Sequence, residues 1–203
     1  MKKPAITRRP TANAPQEVRI IGGQWKRTPL PVAALPGLRP TPARVRETLF
    51  NWLGQDLTGF RCLDAFAGTG ALGLEAASRG AAEVVLVEQD AHLIKTLSAL
   101  KTRLKADAVR VERGDGVTAM QQRRGQGLDL VFLDPPFGEE GNDALFTAAL
   151  QAARQCLRDD GLIYLEAPRV WSDDELAQLG LQLHRQGKAG VVAYHLLRPL
   201  PPQ

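Results

Sequence analysis

Short apolar runs alternate with longer amphipathic stretches through most of this chain. The runs have the length and the Val, Leu and Ile content of buried strands, and each stretch between them is long enough for a helix. Buried strands that alternate with helices form a parallel sheet covered on both faces. The predicted strands are 60–64, 82–88, 108–113, 128–134 and 161–166. The predicted helices lie near 70–79, 91–105, 115–124 and 142–158.

The pattern changes near the C-terminus. Residues 181–187 and 191–198 alternate between polar and apolar positions, and Lys188-Ala189-Gly190 separates them. Such alternation is typical of antiparallel strands with one covered face, so these segments predict a hairpin at one edge of the sheet. The predicted fold class is therefore α/β, with a doubly wound, mostly parallel seven-stranded sheet and an antiparallel C-terminal edge hairpin.

The N-terminal region has a pattern of its own. Short segments of strand-forming residues flank Gly22-Gly23, which predicts a small β-hairpin with strands over 18–21 and 24–27. A Pro-rich connector follows, and then a helix with Thr41 as the expected N-cap and Pro42 as its first residue. We divide the chain into three parts: a disordered basic tail (1–16), a basic hairpin arm with its linker (17–40), and a main domain (41–203).

Charge is distributed unevenly along the chain. The whole sequence has 26 Lys and Arg against 22 Asp and Glu, a net charge of +4. Residues 1–46 contain ten of the basic residues and a single acid, Glu17, whereas residues 47–203 contain 16 basic and 21 acidic residues. A mildly acidic body with a concentrated basic arm indicates a polyanionic partner, and nucleic acid fits best. A merely solubilising tail is the alternative for residues 1–16.

Composition argues against several other classes. The apolar runs are a few residues long, far short of the roughly 20 that a membrane helix needs, so we expect no membrane association. Cys62 and Cys156 stand far apart with no His cluster near them, which argues against a disulfide framework or a metal site. A reducing, cytoplasmic location is therefore expected.

The first predicted strand of the sheet runs into a glycine-rich turn, Asp64 to Gly73, and a helix follows directly. Glycines at such a turn let the backbone approach a ligand at the helix N-terminus, where amide groups can donate. Glu88 ends the next strand and is placed to accept hydrogen bonds from a ribose. On spacing alone the turn also fits a dinucleotide-binding fingerprint, so an NAD(P)-dependent dehydrogenase is an alternative.

Two acidic residues favour S-adenosylmethionine over a dinucleotide. Asp64 lies at the strand end, where its charge would repel a pyrophosphate and attract the ammonium of a methionine moiety. The third strand ends in Gly114-Asp115-Gly116, and a carboxylate there can accept a hydrogen bond from the exocyclic amine of an adenine. A helix N-cap is an equally good role for Asp115.

The fourth strand ends in Asp134-Pro135-Pro136-Phe137. Strands one and four of a doubly wound sheet flank the point where the strand order reverses, so this segment and the glycine turn should face one crevice. The prolines remove amide donors and leave acceptors, which suits an amino group on a conjugated ring, and Phe137 can stack on that ring. A simple turn is the alternative, but a turn requires neither two prolines nor an aromatic residue.

These motifs resemble those of known enzymes. The acidic turn, Glu88 and the segment Asp134 to Phe137 are similar to the S-adenosylmethionine-dependent amino-methyltransferases. More narrowly, four segments resemble the RsmD family, whose members methylate the exocyclic N2 of one guanine in bacterial 16S rRNA. These segments are Arg19 to Arg27, Leu38 to Thr41, Arg44 to Trp52 and Phe66 to Glu75.

The resemblance covers roughly residues 18–198. It implies a Rossmann-like methyltransferase domain over 41–203, S-adenosylmethionine as cofactor, and no metal. It also implies a partner, the 16S rRNA of the small ribosomal subunit or of a late assembly precursor, and we expect a monomer. The implied cofactor-binding residues are Asp64, Phe66, Gly68, Gly70, Glu88 and Asp115. The implied catalytic residues are Asp134, Pro135, Pro136 and Phe137.

The basic arm then has a role in binding RNA. Arg44 and Arg46 are expected to contact phosphates, with a solvated helix face as the alternative. Trp25 can stack on an unpaired base, with packing beneath the hairpin as the alternative. The predicted RNA-binding residues are Arg19, Trp25, Lys26, Arg27, Arg39, Arg44 and Arg46.

Other functions fit the sequence less well. A DNA adenine-N6 or cytosine-N4 amino-methyltransferase would use the same chemistry, but it needs a sequence-reading domain, and no segment here is long enough for one. A protein-glutamine methyltransferase has little use for an arm with this charge. The dehydrogenase alternative lacks an evident acid or base for hydride transfer. A non-catalytic RNA-binding module would not need Asp134 to Phe137.

Overall fold

The computed structural model describes residues 17–33, 35, 38, 40–137 and 142–201. Within these residues the chain forms nine strands and six helices. The strands are β1 (Glu17–Arg19), β2 (Pro29–Pro31), β3 (Arg61–Asp64), β4 (Glu83–Glu88), β5 (Val109–Arg113), β6 (Leu128–Leu133), β7 (Leu157–Ala167), β8 (Leu181–Ala189) and β9 (Val192–Pro199). The helices are α1 (Ala43–Trp52), α2 (Ala71–Ser78), α3 (Ala91–Leu104), α4 (Gly116–Gln121), α5 (Asp143–Cys156) and α6 (Asp173–Gln178).

Seven strands form the main sheet, in the order β5-β4-β3-β6-β7-β9-β8. The first five of these pair in parallel, and β9 pairs antiparallel with both β7 and β8. β3 lies between β4 and β6, so the strand order reverses between β3 and β6. The predicted doubly wound sheet and its antiparallel C-terminal edge hairpin are therefore confirmed.

The two faces of the sheet are covered by different helices. Phe132 and Tyr164 belong to an apolar cluster that includes residues of α1, α2 and α3. Val131 and Leu165 belong to a second cluster, with residues of α4, α5 and α6. Successive side chains of a strand point to opposite faces, so a central strand that is covered on both sides must be apolar throughout. This is why the buried strands could be found as unbroken apolar runs. Within the described residues, no helix has the length and apolar character needed to cross a membrane.

The small N-terminal sheet is present, but its second strand is not where we predicted it. β1 pairs antiparallel with β2, whereas residues 24–27 form turns. Gly23 has a φ of +71°, and the N–H groups of Gln24 and Trp25 donate to the carbonyl and hydroxyl oxygens of Ser78 in α2, at 2.8 and 2.9 Å. The N–H groups of Gln24 and Trp25 are therefore bonded to a distant helix. Residues 24–27 belong to the connection between β1 and β2, where the N–H of Arg27 donates to the carbonyl of Ile20 at 2.7 Å.

Two helix starts also differ from the prediction. α1 begins at Ala43 without a side-chain cap, because the Thr41 hydroxyl donates instead to Glu166 at 2.5 Å. A hydrogen bond to a carboxylate is stronger than one to a neutral group, so the tertiary contact prevails over the local cap. The predicted elements do not include α6, although Ser172 and Glu175 form a capping box at its start. The Ser-x-x-Glu spacing is a sequence signal that could have located this helix.

Candidate active site

Asp64 is the last residue of β3, and Asp134 directly follows β6, the strand that pairs with β3 in the main sheet. β3 and β6 pair in parallel with Asp64 opposite Phe132, so Asp134 lies two residues further along the same face. Phe132 belongs to the cluster beneath α1 and α2, so both carboxylates are on the side of those helices. The glycine turn after β3 and the segment after β6 therefore meet where the strand order reverses, as predicted.

The glycine turn leads from β3 into α2 and passes over Asp64. Gly68 and Gly70 have φ values of +51° and +77°, which residues with a side chain disfavour. The N–H of Gly73, in the first turn of α2, donates to Oδ2 of Asp64 at 3.0 Å. A Cβ on Gly73 would lie 2.2 Å from Cδ2 of Leu86 and 3.2 Å from that carboxylate oxygen. Gly73 is therefore required for the close approach of α2 to the strand end.

Asp64 carries a buried acceptor atom that has no partner. Its side chain is 1% exposed, and Oδ1 has no hydrogen-bond partner among the described residues. Burial raises the pKa of Asp64 to about 7, although the backbone N–H groups of Gly73 and Phe66 act in the opposite direction. Since buried polar atoms in native proteins are nearly always bonded, Oδ1 fits a ligand that brings its own donor. An ammonium group is the donor that best matches a carboxylate.

Glu88, at the end of β4, is bonded to the backbone around the glycine turn. Its Oε2 accepts a hydrogen bond from the N–H of Gly68 at 2.9 Å. Its Oε1 accepts from the N–H groups of Gln89 and Asp90, at 2.7 and 2.8 Å. These bonds hold the carboxylate beside the turn. Its contact with a ribose stays a prediction.

Asp115 and Phe66 lie near one another at the neighbouring strand ends. Asp115 is the N-cap of α4, since its carboxylate accepts from the N–H of Thr118 at 2.8 Å and from the amide of Gln89 at 3.0 Å. Phe66 is half-buried, and its ring would lie 3.1 Å from a Cβ on Gly116. The capping role of Asp115 is therefore present in the structure, and its contact with an adenine amine stays a prediction.

The segment after β6 leaves the sheet as a stiff, acceptor-rich loop. Pro135 is buried and Pro136 is exposed. Phe137 is half-buried and packs against Phe146 of α5, with the ring centroids 6.1 Å apart. Residues 138–141, which follow, lie outside the described part of the chain. The first residues of the loop are therefore held in place, because Pro135 is buried and Phe137 packs against α5.

A carboxylate that our sequence reasoning missed lies beside Asp134. β7 pairs with β6 with Leu165 opposite Leu133, so Glu166 is the neighbour of Asp134 across the strand pair. The Asp134 carboxylate is half-buried and accepts no hydrogen bond from the described residues. Burial raises its pKa well above the usual range, and the negative charges of Glu166 and Asp64 add to this effect.

Glu166 is held by two hydroxyl groups. Thr41 and Tyr164 both donate to its Oε1, at 2.5 and 2.9 Å. Burial raises the pKa of Glu166, and the two hydrogen bonds oppose that rise. The signal that could have found it is a lone acid at the end of the apolar strand next to the one carrying Asp134. Within the described residues, no group of three or more His, Cys, Asp or Glu is arranged to hold a metal ion.

The N-terminal arm is fastened to α2 through two side chains. Glu75 is fully buried and accepts from the N–H groups of Ile21 and Gly22, at 2.9 and 2.7 Å. The Ser78 hydroxyl donates to the Gly22 carbonyl at 2.6 Å and accepts from the N–H of Trp25 at 2.9 Å. Trp25 is half-buried against the apolar cluster beneath the arm, which favours the packing alternative over stacking on a base.

Arg46 was predicted to contact RNA phosphates, but the structure buries this residue, which is 1% exposed. Its guanidinium donates to the carbonyl oxygens of Arg19 and Thr41, at 2.9 and 3.1 Å, and to Oε2 of Glu75 at 3.3 Å. Burial lowers the pKa of Arg46, and the charge of Glu75 opposes that change. A buried charge needs such partners, so this side chain joins α1, the arm and α2 and does not face a phosphate.

Four other basic residues of the predicted RNA-binding set are exposed. Arg19 forms an exposed ion pair with Glu17 at 2.7 Å, so its charge is partly balanced. The exposed residues are Arg19, Lys26, Arg27 and Arg44. Arg39, the remaining member of the set, lies outside the described residues. The contacts of these side chains with RNA stay a prediction.

The sheet order, the glycine turn after β3 and the Asp-Pro-Pro-Phe segment after β6 define a methyltransferase with a Rossmann-like fold. Solved structures agree with this class. The putative methyltransferase yhhF from Escherichia coli superposes with a TM-score of 0.74 at 40% identity, covering 92% of this chain and 99% of that one. The crystal structure of a putative methylase from Haemophilus influenzae gives a TM-score of 0.74 at 33% identity, covering 91% and 99%.

Sequence comparison identifies the family within this class. A family model described as Conserved hypothetical protein 95 matches residues 18–198. The chain is 42% identical over 189 residues to Ribosomal RNA small subunit methyltransferase D of Escherichia coli strain K12, covering 93% of each chain. It is 38% identical over 189 residues to the protein of the same name from Haemophilus influenzae, covering 92% of this chain and 96% of that one. The chain belongs to this family, the RsmD family that its motifs resemble. Neither the DNA-methyltransferase nor the dehydrogenase alternative gains support from these relatives.

Proposed function

We propose that this protein transfers a methyl group from S-adenosylmethionine to the exocyclic N2 of a guanine in 16S rRNA. The observation that carries the proposal is the juxtaposition, at neighbouring strand ends, of two carboxylates that have oxygen atoms without a partner among the described residues. Oδ1 of Asp64 is buried without a partner among the described residues, and Asp134 lies two positions further along the same face. The first suits a cationic amino group, and the second suits the N–H of an aromatic amine. The relatives named for the ribosomal RNA of the small subunit support the choice of RNA.

The residues around the glycine turn fit S-adenosylmethionine. This cofactor supplies a methyl group on a positively charged sulfur, which makes the methyl carbon electrophilic. Asp64 would bind the ammonium of its methionine moiety, since a charge-assisted bond would satisfy the orphaned oxygen. Glu88 would accept from the ribose hydroxyls and Asp115 from the adenine amine. Gly68 and Gly70 lack the side chains that would keep the backbone away from such a ligand.

The segment Asp134 to Phe137 would bind and activate the guanine amine. That nitrogen is a poor nucleophile because its lone pair is delocalised into the ring. Asp134 and the backbone carbonyls of the proline loop accept its N–H groups and draw the nitrogen towards tetrahedral geometry. Methylation of this nitrogen would release one proton, which the Asp134 carboxylate is placed to receive. Positioning supplies most of the acceleration, and no covalent enzyme intermediate is needed.

A target base that lies in a folded RNA would have to be unstacked to reach this loop. Unstacking a base costs a few kcal/mol, and stacking on Phe137 would return about 1–3 kcal/mol. Exposed basic residues on the arm and α1 would hold the surrounding phosphates. Members of the RsmD family act on the assembled small subunit or a late precursor, and we infer the same substrate for this protein.

The proposal is tested by offering labelled S-adenosylmethionine with three substrates in parallel: small subunits that lack the modification, free 16S rRNA and DNA. We expect label in the small subunit, and mass analysis of digested nucleosides should identify N2-methylguanosine. An Asp134→Ala variant in the same assay controls for contaminating methyltransferases. Label in DNA, or methylation at a different atom of the RNA, would contradict the proposal.

A further inference from the structure

The chemistry proposed above gives no role to Glu166, although it lies beside Asp134. Glu166 is 5% exposed and neighbours Asp134 across the β6–β7 pair. Tyr164, two residues before it, belongs to the cluster under α1 and α2, so Glu166 is on the same face of the sheet as Asp64 and Asp134. An acidic side chain is costly to bury without partners, and its position at the crevice points to a function.

Two hydroxyl groups orient Glu166 and leave half of its carboxylate available. Thr41 and Tyr164 both donate to Oε1, at 2.5 and 2.9 Å. Oε2 accepts no hydrogen bond from the described part of the chain. The two bonds oppose the rise in the pKa of Glu166 that burial causes. Glu166 therefore presents one unpartnered carboxylate oxygen from a side chain whose orientation is already fixed.

A guanine presents donors that match two adjacent carboxylates. Its N1–H and its 2-amino group are neighbours on the Watson–Crick edge, the edge by which enzymes bind a flipped base. An adenine has a lone pair at N1 instead, which a carboxylate repels. We propose that Glu166 is a specificity-determining residue, which accepts the N1–H of the target guanine while Asp134 accepts from its 2-amino group. This inference rests on the proposed function.

Glu166 also has a structural role, and a residue with that role alone would not determine which base is methylated. Thr41 immediately precedes Pro42 at the start of α1, so Glu166 also anchors that helix. A glutamine at this position would keep the anchor, because its carbonyl oxygen can accept from both hydroxyls. The same change replaces Oε2 by an amide donor, which reverses the hydrogen-bonding preference towards N1 of the base. Glu166→Gln therefore separates the two roles.

The experiment compares guanine with 2-aminopurine, which keeps the 2-amino group but has an acceptor at N1. Small subunits are reconstituted with 16S rRNA that carries either base at the position methylated by the wild-type enzyme, and kcat/KM is measured with labelled S-adenosylmethionine. The wild type should prefer guanine by on the order of a hundredfold or more, because a site built for an N–H rejects an analogue without it. Glu166→Gln should lose about a hundredfold on guanine and gain on 2-aminopurine, so that the preference is abolished or reversed.

Two further variants keep this test decisive. Thr41→Val removes one donor to Oε1 and retains the acceptor, so it should slow both substrates in parallel and leave the preference for guanine unchanged. Glu166→Asp keeps the charge and should retain a preference for guanine at a reduced kcat. Calorimetry with S-adenosylmethionine verifies that each variant is folded. If Glu166→Gln keeps the wild-type preference for guanine, even with equal losses of kcat/KM on both bases, the proposed role of Glu166 is overturned.

Failure of this inference is distinguishable from failure of the proposed function. If nucleoside analysis of the wild-type product finds a modification other than N2-methylguanosine, both are overturned. If it finds N2-methylguanosine and the variants show no change in base preference, the proposed function stands and the role of Glu166 is overturned alone.

Discussion

Nη1 of Arg46 lies 3.3 Å from Oε2 of Glu75, and both side chains are buried. The pair sits where three parts of the molecule meet. Arg46 comes from α1, Glu75 comes from α2, and the same Glu75 carboxylate accepts the backbone N–H groups of Ile21 and Gly22 in the arm. The contacts of one acid therefore join the arm, the first helix and the helix that follows the glycine turn.

Replacing Glu75 should destabilise the whole fold. Glu75→Ala leaves Arg46 buried without its counter-charge, and breaking a buried pair in this way costs about 3–5 kcal/mol. The free energy of unfolding, measured by urea denaturation, should fall by that amount. Glu83→Ala is the matched control, because its ion pairs with Arg61 and Arg110 are partly exposed and should contribute no more than about 1 kcal/mol. Equal losses in the two variants would refute the importance of the buried pair.

Gly73 should not tolerate even an alanine. The added Cβ would lie 2.2 Å from Leu86 and 3.2 Å from the Asp64 carboxylate, so either α2 or the strand end must shift. Overpacking of this kind costs about 1–3 kcal/mol, and the shift should also weaken cofactor binding in calorimetry. Gly114→Ala is the control for stability, since a Cβ there meets nothing within 4 Å. A Gly73→Ala variant as stable as Gly114→Ala would show that the fit is looser than the structure indicates.

Asp134→Asn should lose methyl transfer and keep the cofactor. The amide has one acceptor oxygen in place of two and cannot receive the proton that the amine releases, and losing one such group in an active site typically slows the reaction about 10²–10³-fold. The affinity for S-adenosylmethionine, measured by calorimetry, should stay within about twofold of the wild type, because Asp134 is assigned to the substrate base. Asp160→Asn, an exposed acid in β7, should change neither quantity. Unchanged turnover in Asp134→Asn would discredit the acceptor mechanism.

Cofactor affinity should depend on pH through Asp64. Burial raises the pKa of this carboxyl to about 7, so below pH 7 it is increasingly protonated and loses its attraction for an ammonium. A free α-amino group loses its own proton near pH 7.7–8.0, so affinity should be highest between about 7 and 8. Calorimetric titrations from pH 5.5 to 9 would measure both limbs. Asp64→Asn should bind about 10–100-fold more weakly and lack the acidic limb; an acidic limb that persists in the variant belongs to another group.

Exposed charges on the arm should govern binding to the ribosomal subunit. Lys26→Ala with Arg27→Ala removes two candidate phosphate contacts, and each contact contributes about 0.7–0.9 to the slope of log affinity against log salt concentration. Affinity should fall and the slope should become shallower, while affinity for S-adenosylmethionine should not change. Arg185→Ala with Lys188→Ala, two exposed positions in β8, is the matched control. If both double variants bind subunits alike, the arm has no docking role.

The sheet could be predicted from sequence because its signals are local. Each buried strand is an apolar run, and the glycine turn and the Asp134 segment come directly after two of them. These rules placed β3 next to β6 without any knowledge of long-range contacts. The strand order then brought Asp64 and Asp134 to one crevice.

The features that sequence reasoning missed depend on contacts between distant parts of the chain. Arg46 lies among polar residues of a helix and resembles a solvated charge, yet its partner Glu75 is 29 residues away. Residues 24–27 have the composition of a strand, but the N–H groups of Gln24 and Trp25 donate to Ser78, and the four residues form turns between β1 and β2. Glu166 was overlooked because a single acid in an apolar strand gives no periodic signal.

α2 has consequences for how this protein could be re-engineered. The same eight-residue helix begins at the glycine turn and, one to two turns later, supplies Glu75 and Ser78 to the arm. The arm is therefore not a detachable accessory. Grafting the arm onto another methyltransferase would require Arg46 and the matching surface of α2 as well. In a host that lacks them, the backbone groups of the arm would have no hydrogen-bond partners.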